Sequence, residues 1–294
     1  MREQPSFRHY ASKQYLLPAD NIETNRLNAQ HNIVNNALNG RLYVAPTSLT
    51  TGDRVLESAA GSGIWALEFF EQNRADGIVL DIECIDISSA QFPCAHPPQI
   101  HFSVNSIVNL PNEWDNVFVF AHQRLLVLAL NDCLWHSAVS ELLRVIRPGG
   151  WVELVEIEAR DFRSWSVGRN STKLASLING LYDETTVIGN LSVYLPEVLK
   201  NAGFVDVVCE TKYVPIGGEE DDTPHKVTDI KGYSSELWRE VWMGMEGPVM
   251  EVGKAVKTVE EYKALVQDSA TEWKTSKEAY TTLFVIVARK PDRA

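Results

Sequence analysis

The stretch that decides the fold is Arg54-Val-Leu-Glu57-Ser-Ala-Ala-Gly61-Ser-Gly63-Ile-Trp-Ala-Leu-Glu-Phe-Phe70. A short apolar run ends in the carboxylate of Glu57, a loop of small residues follows, and a helical pattern begins after Gly63. A strand, a small-residue loop and a helix in this order are typical of the nucleotide-binding crevice at the carboxyl edge of a parallel sheet. An acid beside the loop disfavours a phosphate and suits a ligand with a cationic centre, such as S-adenosylmethionine.

The residues after this stretch predict how the sheet continues. From residue 53 onward, short apolar runs alternate with helical patterns, as expected of a parallel sheet with helices on both faces. The predicted strands lie at 53–57, 78–87, 99–104, 115–121 and 151–156, and the predicted helices at 63–73 and 131–146. The sequence Arg147-Pro-Gly-Gly150 is expected to end the second helix before the fifth strand.

The two ends of the chain follow different patterns. A helix is predicted from Asp20 to Leu42, with Asp20 as its N-cap and Glu23 three residues later. The carboxyl third predicts a helix at 192–202, a strand at 204–214, a solvated loop at 215–224, helices at 232–246 and 258–278, and a strand at 281–288. The last strand is expected to pair antiparallel with the strand at 204–214 and to be added at the edge of the sheet.

These patterns divide the chain into three parts. Residues 1–45 are predicted to form a helical N-terminal extension, and residues 46–214 together with 281–294 a Rossmann-like α/β domain. Residues 215–280 are interpreted as a cap or substrate insertion, because connections this long in compact domains are usually functional. This cap holds a group of large adaptable side chains, which predict either an apolar substrate pocket or ordinary packing: Trp238, Trp242, Met243, Met245 and Met250.

Composition and charge limit the function classes. The chain has 294 residues, of which 45% are hydrophobic, and a formal net charge of −12. It has no basic footprint for nucleic acid and no run of about 18 apolar residues that would predict a membrane span. No cluster of histidine, cysteine or carboxylate has the spacing of metal ligands, so no metal is expected. We expect a cytoplasmic protein, with the nucleus as the alternative, that acts on a small molecule, and a protein partner stays open.

The same loop also fits another class of enzyme. Gly61-Ser-Gly63-Ile-Trp-Ala66 matches the dinucleotide fingerprint Gly-x-Gly-x-x-Gly/Ala, and Asp86 lies 20 residues beyond Ala66, near the spacing of a ribose-binding acid. An NAD(P)-dependent oxidoreductase is therefore an alternative. Glu57 argues against it, because the pyrophosphate of a dinucleotide would lie close to that carboxylate.

Two family resemblances favour the methyl donor. The segment Glu57-Ser-Ala-Ala-Gly-Ser-Gly63 resembles the first motif of class I S-adenosylmethionine-dependent methyltransferases, commonly Asp/Glu-x-Gly-x-Gly-x-Gly. More narrowly, the chain resembles the fungal LaeA-like methyltransferases. The segments that carry this second resemblance are Tyr15–Asp20, Glu23, Arg26-Leu27, Gln30-His31, Gly63–Trp65, Ile85–Ser88, His122-x-Arg124 and Arg147–Glu156.

The resemblance implies a fold, a reaction and a cofactor. The fold would be a mostly parallel Rossmann-like sheet with an antiparallel last strand. The reaction would be an O- or N-methylation of a small molecule in fungal secondary metabolism, with S-adenosylmethionine converted to S-adenosylhomocysteine. The implied cofactor-binding residues are Glu57, Ala59, Gly61, Gly63, Asp86, Ile87, Asn105 and Ser106.

Within this set, each part of the cofactor has expected partners. Glu57 and the loop backbone would hold the amino-acid end, Asp86 the ribose hydroxyls, and Ile87 with Asn105-Ser106 the adenine. Two positions depart from the family pattern. Ala59 stands where the motif usually has its first glycine. Its methyl group leaves less room for the backbone to approach the ligand. Asn105-Ser106 stands where an acidic pair is usual, and an asparagine can still donate to or accept from an adenine edge.

Two residues are predicted to act in catalysis. His122 follows the predicted fourth strand at the open edge of the sheet, where a histidine serves as a base or lines the cofactor; a structural hydrogen bond to the neighbouring loop is the alternative. Glu156 lies at the carboxyl end of the fifth strand. Modest help from either base suffices, because positioning supplies most of the acceleration in this kind of transfer. His225, in the acidic loop, is a weaker candidate.

The departures at Ala59 and Asn105 leave a second function class open. A protein of the same fold can bind the cofactor, or keep only the shape of its site, and act as a regulatory or scaffolding partner of other proteins. Binding of S-adenosylmethionine together with methyl transfer to an acceptor distinguishes the enzyme from this alternative.

Overall fold

The computed structural model describes residues 10, 15–217, 233–252 and 256–292. The strands in these ranges are β1 Arg54–Ser58, β2 Asp81–Asp86, β3 Ile100–Val104, β4 Phe118–Arg124, β5 Ile146–Ile157, β6 Val205–Pro215 and β7 Tyr280–Arg289. The helices are α1 Asn21–Ala37, α2 Ile64–Ala75, α3 Asp132–Val145, α4 Phe162–Trp165, α5 Arg169–Thr185, α6 Leu191–Ala202, α7 Tyr233–Gly244, α8 Glu246–Val252 and α9 Val259–Thr275, with a 3₁₀ turn at Asn112–Trp114. None of these helices combines the length and the apolar character that a bilayer crossing requires.

The seven strands form one mixed sheet in the order β3-β2-β1-β4-β5-β7-β6. Strands β1 to β5 pair in parallel, and β7 is antiparallel to both β5 and β6. The predicted antiparallel pairing of the last strand is confirmed, but its predicted place at the edge is wrong. Residues 281–286 of β7 are all buried, as in a strand with neighbours on both sides, whereas β6 is largely exposed and forms the edge.

Helices cover both faces of the sheet. Adjacent residues of β1 point to opposite faces, so Val55 packs with the aromatic face of α2 while Leu56 packs with the apolar face of α3. Both residues are fully buried. This arrangement confirms the Rossmann-like α/β fold class predicted from the alternating pattern.

Strand β4 is displaced along the sequence relative to its prediction. It begins at Phe118 rather than 115 and runs through Arg124. His122 therefore lies inside the strand, opposite Glu57 of β1 and Glu153 of β5, and not after the strand as predicted. The prediction that Arg147-Pro-Gly-Gly150 ends a helix is confirmed, since α3 stops at Val145, although these four residues already belong to β5.

Helix α1 begins as predicted and ends early. Oδ1 of Asp20 accepts a hydrogen bond from the backbone N–H of Glu23 at 3.0 Å, which confirms Asp20 as the N-cap. The helix ends at Ala37 rather than at Leu42. Asn39 and Gly40 both have positive φ, at 58° and 76°, and this left-handed pair stops the helical hydrogen bonding.

The cap is built from two segments of the chain. Helices α4 and α5, which the sequence analysis does not predict, pack against α9 of the predicted cap: Nε1 of Trp273 donates to the carbonyl of Trp165 at 2.8 Å. The carboxylate of Glu272 accepts hydrogen bonds from the backbone N–H groups of Asn170 and Ser171, at the start of α5, at 2.9 and 2.8 Å. The predicted loop at 215–224 is described only to residue 217, and His225 lies outside the described residues.

Candidate functional site

A cavity of about 210 Å³ opens at the carboxyl ends of four neighbouring strands. Its walls include residues 59–62 after β1, 86–88 at the end of β2, 105–108 after β3 and 124–130 at the end of β4. Helix α1 and the helices α4, α5 and α7 supply further parts of the wall. The cavity therefore occupies the crevice that the strand–loop–helix pattern predicts at this edge of the sheet.

The loop after β1 is held in a tight left-handed path. Ala59, Gly61 and Gly63 all have positive φ, at 58°, 53° and 72°. A Cβ atom on Gly63 would lie 2.6 Å from the ring of Phe102, so this position requires glycine. Ala59 and Gly61 line the cavity, whereas Gly63 lies just outside it and starts α2.

Asp86 closes this loop from the neighbouring strand. Its Oδ2 accepts a hydrogen bond from the backbone N–H of Gly61 at 2.9 Å, and its Oδ1 accepts one from Ser88 at 3.1 Å. Burial raises the pKa of the Asp86 carboxyl, and the backbone hydrogen bonds act in the opposite direction. Each oxygen keeps a lone pair for a further donor, so the carboxylate can receive two hydroxyls of a ligand.

The predicted adenine-binding residues also lie on the cavity. Ile87, which is 46% exposed, presents an apolar side chain immediately after Asp86. Nδ2 of Asn105 donates to Oγ of Ser103 at 2.9 Å, which orients the amide, and Ser106 lies beside it in the cavity wall. The structure thus brings together Ala59, Gly61, Asp86, Ile87, Asn105 and Ser106, as predicted.

Glu57 and His122 occupy a different place from the one predicted. Both are 1% exposed and neither lines the cavity. Nδ1 of His122 and Oε2 of Glu57 are 2.6 Å apart, and the imidazole stacks on the indole of Trp65 with ring centroids 3.9 Å apart. Burial holds the pKa of Glu57 well above its usual value and lowers that of His122 to about 3. Both shifts favour an uncharged pair in which the carboxyl group donates to the imidazole.

Glu156 is also turned away from the cavity. It is fully buried, and its two oxygens accept hydrogen bonds from the backbone N–H groups of Leu126 at 2.8 Å and Val127 at 3.1 Å. Burial raises its pKa to about 8. Leu126 and Val127 belong to the cavity wall, so Glu156 shapes that wall and does not face a ligand directly.

Arg124 is a cavity residue to which the sequence analysis gives no site role. Its Nη2 donates to Nδ1 of His31 at 2.9 Å, and Nε2 of His31 lies 2.8 Å from Oε2 of Glu68. Burial, followed by the charge of Arg124, lowers the pKa of His31, so the neutral ring accepts at Nδ1 and donates at Nε2. The sequence feature that could have identified Arg124 is its position at the end of β4. The predicted strand stops at residue 121, so Arg124 is not recognised as a strand end.

The far end of the cavity is aromatic. Trp238 and Trp242 of α7 line it as the cap prediction requires, together with Trp165 of α4 and Tyr182 of α5. The methionines grouped with them in the prediction, Met243, Met245 and Met250, do not line it. Trp165 and Tyr182 are missed because their helices are not predicted. Within the described residues no group of three histidine, cysteine or carboxylate side chains is arranged to hold a metal ion.

A solved structure shares this fold. Phosphoethanolamine N-methyltransferase 2 of Haemonchus contortus, in complex with phosphomonomethylethanolamine and S-adenosylhomocysteine, superposes with a TM-score of 0.52 at 16% identity. The superposition covers 92% of this chain and 58% of that chain. At this identity the likeness establishes the fold alone, which is the Rossmann-like sheet described above.

The family follows from the sequence of the same region. The profile of the family described as "Methyltransferase domain" matches residues 29–206, a stretch that contains β1 to β5 and all of the cavity-lining strand ends. The chain therefore belongs to the methyltransferase domain family. This confirms the predicted class I methyltransferase resemblance and lends no support to the oxidoreductase alternative.

Curated relatives come from fungi. Methyltransferase grgD of Penicillium sp is 32% identical over 157 residues, covering 52% of this chain and 54% of the relative. N-methyltransferase sirN of Leptosphaeria maculans is 34% identical over 144 residues, covering 48% and 49%. Secondary metabolism regulator LAE1 of Gibberella fujikuroi is 27% identical over 146 residues, covering 49% and 45%, and agrees with the LaeA-like resemblance. The chain spans about half the length of these relatives.

Proposed function

We propose that this protein transfers the methyl group of S-adenosylmethionine to a small molecule. The observation that carries the proposal is the continuity of one cavity from the loop of Ala59 and Gly61, past Asp86, to the aromatic end formed by the cap. A cofactor bound at the loop would have its sulfur directed along the cavity toward an acceptor at the other end. Two ligands in one cavity is the arrangement that a direct transfer needs.

The residues present suit the cofactor. Asp86 would accept the ribose hydroxyls, and its carboxylate is already oriented by Gly61 and Ser88. Ile87 would pack on adenine, and Asn105 with Ser106 would meet the polar edge of the base. The positive φ values at Ala59 and Gly61 turn the loop so that its backbone lines the cavity. When bound, S-adenosylmethionine supplies an electrophilic methyl group on a sulfonium.

The chain itself positions the two reactants and excludes water from the cavity. Helix α1 is tied to the loop by a hydrogen bond from Oγ of Ser62 to Oδ1 of Asn28 at 2.7 Å, so that it covers the cofactor end. The cap covers the acceptor end with Trp165, Trp238 and Trp242. Holding two reactants in line in a dry site accounts for much of the acceleration that such a transfer needs. Neither His122 nor Glu156 reaches the cavity, so neither residue takes part in a proton transfer in this proposal.

The size and lining of the cavity favour a small acceptor. Its walls at the cap end are mostly apolar, and the net charge of −12 offers no general attraction to nucleic acid. The fungal relatives include an N-methyltransferase and a secondary metabolism regulator. Methylation of a nitrogen or oxygen in a fungal natural product is the finer form of the proposal.

A second candidate function is that of a cofactor-binding regulator. LAE1 carries the word regulator in its name, and Ala59 occupies a left-handed position that normally takes glycine. In that case the protein would bind S-adenosylmethionine without passing its methyl group to a small molecule.

Calorimetry and turnover test both candidates. Titration with S-adenosylmethionine and S-adenosylhomocysteine is expected to give saturable binding, and Asp86→Asn is expected to weaken both at least about tenfold. Asp81→Asn is the matched control, because Asp81 lies at the opposite end of the same strand. Fungal metabolite extracts are then incubated with the protein and the cofactor, and mass spectrometry detects any methylated product. Binding without any methylated product would favour the regulator, and no binding would reject both.

A further inference from the structure

Arg124 is a half-buried cation in the cavity wall that lacks a carboxylate partner within the described ranges. Its Nη2 donates to His31, and no carboxylate oxygen of the described residues lies within 4.0 Å of its nitrogen atoms. Its other N–H groups have no acceptor in that part of the chain. Arg26, the other cavity-lining arginine, is instead paired with Glu23 at 2.6 Å. Because a half-buried cation that faces a cavity is stabilised by an anion placed in that cavity, a ligand is expected to bring the anion to Arg124.

The order of the strands fixes which part of a ligand reaches Arg124. Asn105 follows β3, Asp86 ends β2, Ala59 follows β1 and Arg124 ends β4, and all four residues line the cavity. The strands lie side by side in the order β3-β2-β1-β4, at a spacing of about 4.8 Å per step. With adenine at the end of β3 and ribose at the end of β2, the amino-acid part of the cofactor passes over β1 and reaches β4.

The described protein groups near Arg124 do not neutralise its charge, so an anionic group of a ligand can do so. Burial favours the uncharged form of Glu57, whose carboxyl is bonded to His122 and lies outside the cavity, so Glu57 does not neutralise Arg124. His31 already accepts the hydrogen bond from Nη2 and lies 2.8 Å from Glu68 on its other side. The guanidinium is thus oriented by His31 and neutralised by neither neighbour.

We propose that Arg124 binds the α-carboxylate of the methionine part of S-adenosylmethionine. A guanidinium presents paired N–H groups that match the two oxygens of a carboxylate. The inference rests on the proposed function, and it gives Arg124 the role at the amino-acid end that the family resemblance implies for Glu57. His31 is then a positioning residue, which holds the guanidinium through one hydrogen bond.

A matched pair of ligands tests the proposal. Decarboxylated S-adenosylmethionine keeps the adenosine, the sulfonium and the amine and lacks only the carboxylate. Calorimetry with the full chain is expected to show tighter binding of S-adenosylmethionine. Arg124→Gln is expected to weaken S-adenosylmethionine about 10- to 100-fold and the decarboxylated ligand less than about threefold, while Arg124→Lys keeps an intermediate preference. Arg41→Gln, an exposed arginine outside the cavity, is the control variant and is expected to change neither affinity.

The outcomes separate this inference from the function on which it rests. Retained binding of the decarboxylated ligand shows that the site of Arg124→Gln is folded. Equal losses for both ligands, or no loss for either, would overturn the role of Arg124 while leaving the proposed function standing. Wild-type protein that binds both ligands equally tightly would overturn it without any variant. Wild-type protein that binds neither would reject the proposed function and this inference together.

Discussion

Glu57 and His122 form a hydrogen-bonded pair between the neighbouring strands β1 and β4 that is closed to solvent. Glu57 is on β1 and His122 is the residue opposite it on β4, with 2.6 Å between Oε2 and Nδ1. The pair is sealed by Trp65, whose indole lies at an angle of 4° to the imidazole. The acid of the family motif is therefore paired inside the sheet and does not face the cavity, through a contact that no local sequence pattern reveals.

The first prediction concerns the pH dependence of stability. Burial lowers the pKa of His122 from 6.5 to about 3, so below pH 6.5 the unfolded chain binds a proton that the folded chain refuses. Stability from this group is therefore complete above pH 6.5 and is lost as the pH falls toward 3. Between pH 7 and pH 5 the expected loss is about 2 kcal/mol. The free energy of unfolding of wild type and His122→Gln is measured in urea at both pH values. The part of the loss that is absent from the variant is the contribution of His122.

An exposed histidine provides the control for this experiment. The side chain of His136 on α3 is 54% exposed, so His136→Gln is expected to keep the wild-type pH dependence. The raised pKa of Glu57 acts with the opposite sign, since its contribution is present at low pH and is lost as the pH rises. The same acid-side loss in wild type and in His122→Gln would contradict the assignment.

The second prediction concerns strain in the loop after β1. Ala59 has φ at 58°, a conformation that disfavours residues with a Cβ atom. Ala59→Gly is therefore expected to raise the free energy of unfolding by about 1 kcal/mol, as measured by urea denaturation. The neighbouring Ala60 does not have positive φ, so Ala60→Gly is expected to lower it instead. Destabilisation by both substitutions would show that Ala59 is not strained.

Local patterns predict much of the fold and one half of the site. The half of the cavity at the ends of β2 and β3 is predictable because Asp86, Ile87 and Asn105 end or follow apolar strands, and the ends of parallel strands meet at one edge. The place of β7 in the sheet depends on pairing with strands far away in the sequence. β7 is buried as an interior strand is, and no local sequence pattern shows which two strands lie beside it.

The cap half of the site is less predictable for a different reason. Trp165 and Tyr182 reach the cavity only because α4 and α5 pack on α9, a contact between segments about 100 residues apart that a periodicity argument does not address. The positions predicted for His122 and Glu156 differ from those in the structure because β4 is shifted by three residues and because the two side chains do not line the cavity. A strand end brings a residue to the edge of the sheet, but the fold decides whether its side chain enters the cavity or supports the wall behind it.

The third prediction concerns the adenine edge. Asn105 occupies a position that is usually acidic in related motifs, and Asn105→Asp would place a charged acceptor near the amino group of adenine. Calorimetry is expected to show S-adenosylhomocysteine binding about fivefold tighter, because a hydrogen bond to a charged group is stronger by about 1 kcal/mol. The purine riboside analogue, which has a hydrogen in place of the amino group and so offers no donor there, should gain nothing. Asn109→Asp, outside the cavity, is the control, and equal gains for both nucleosides would contradict this placement of adenine.

The last prediction concerns the ion pair inside α1. Glu23 and Arg26 are 1% and 5% exposed and 2.6 Å apart, so Glu23→Gln leaves a buried arginine without its partner. The expected cost is about 3–5 kcal/mol of unfolding free energy. Glu71→Gln removes an i,i+3 partner of the same kind from Arg74 on the surface of α2, where both side chains are at least half exposed, and is expected to cost less than about 1 kcal/mol. Urea unfolding compares the two variants directly. Equal costs would mean that water reaches the Glu23–Arg26 pair, and that α1 does not seal the part of the cavity that it lines.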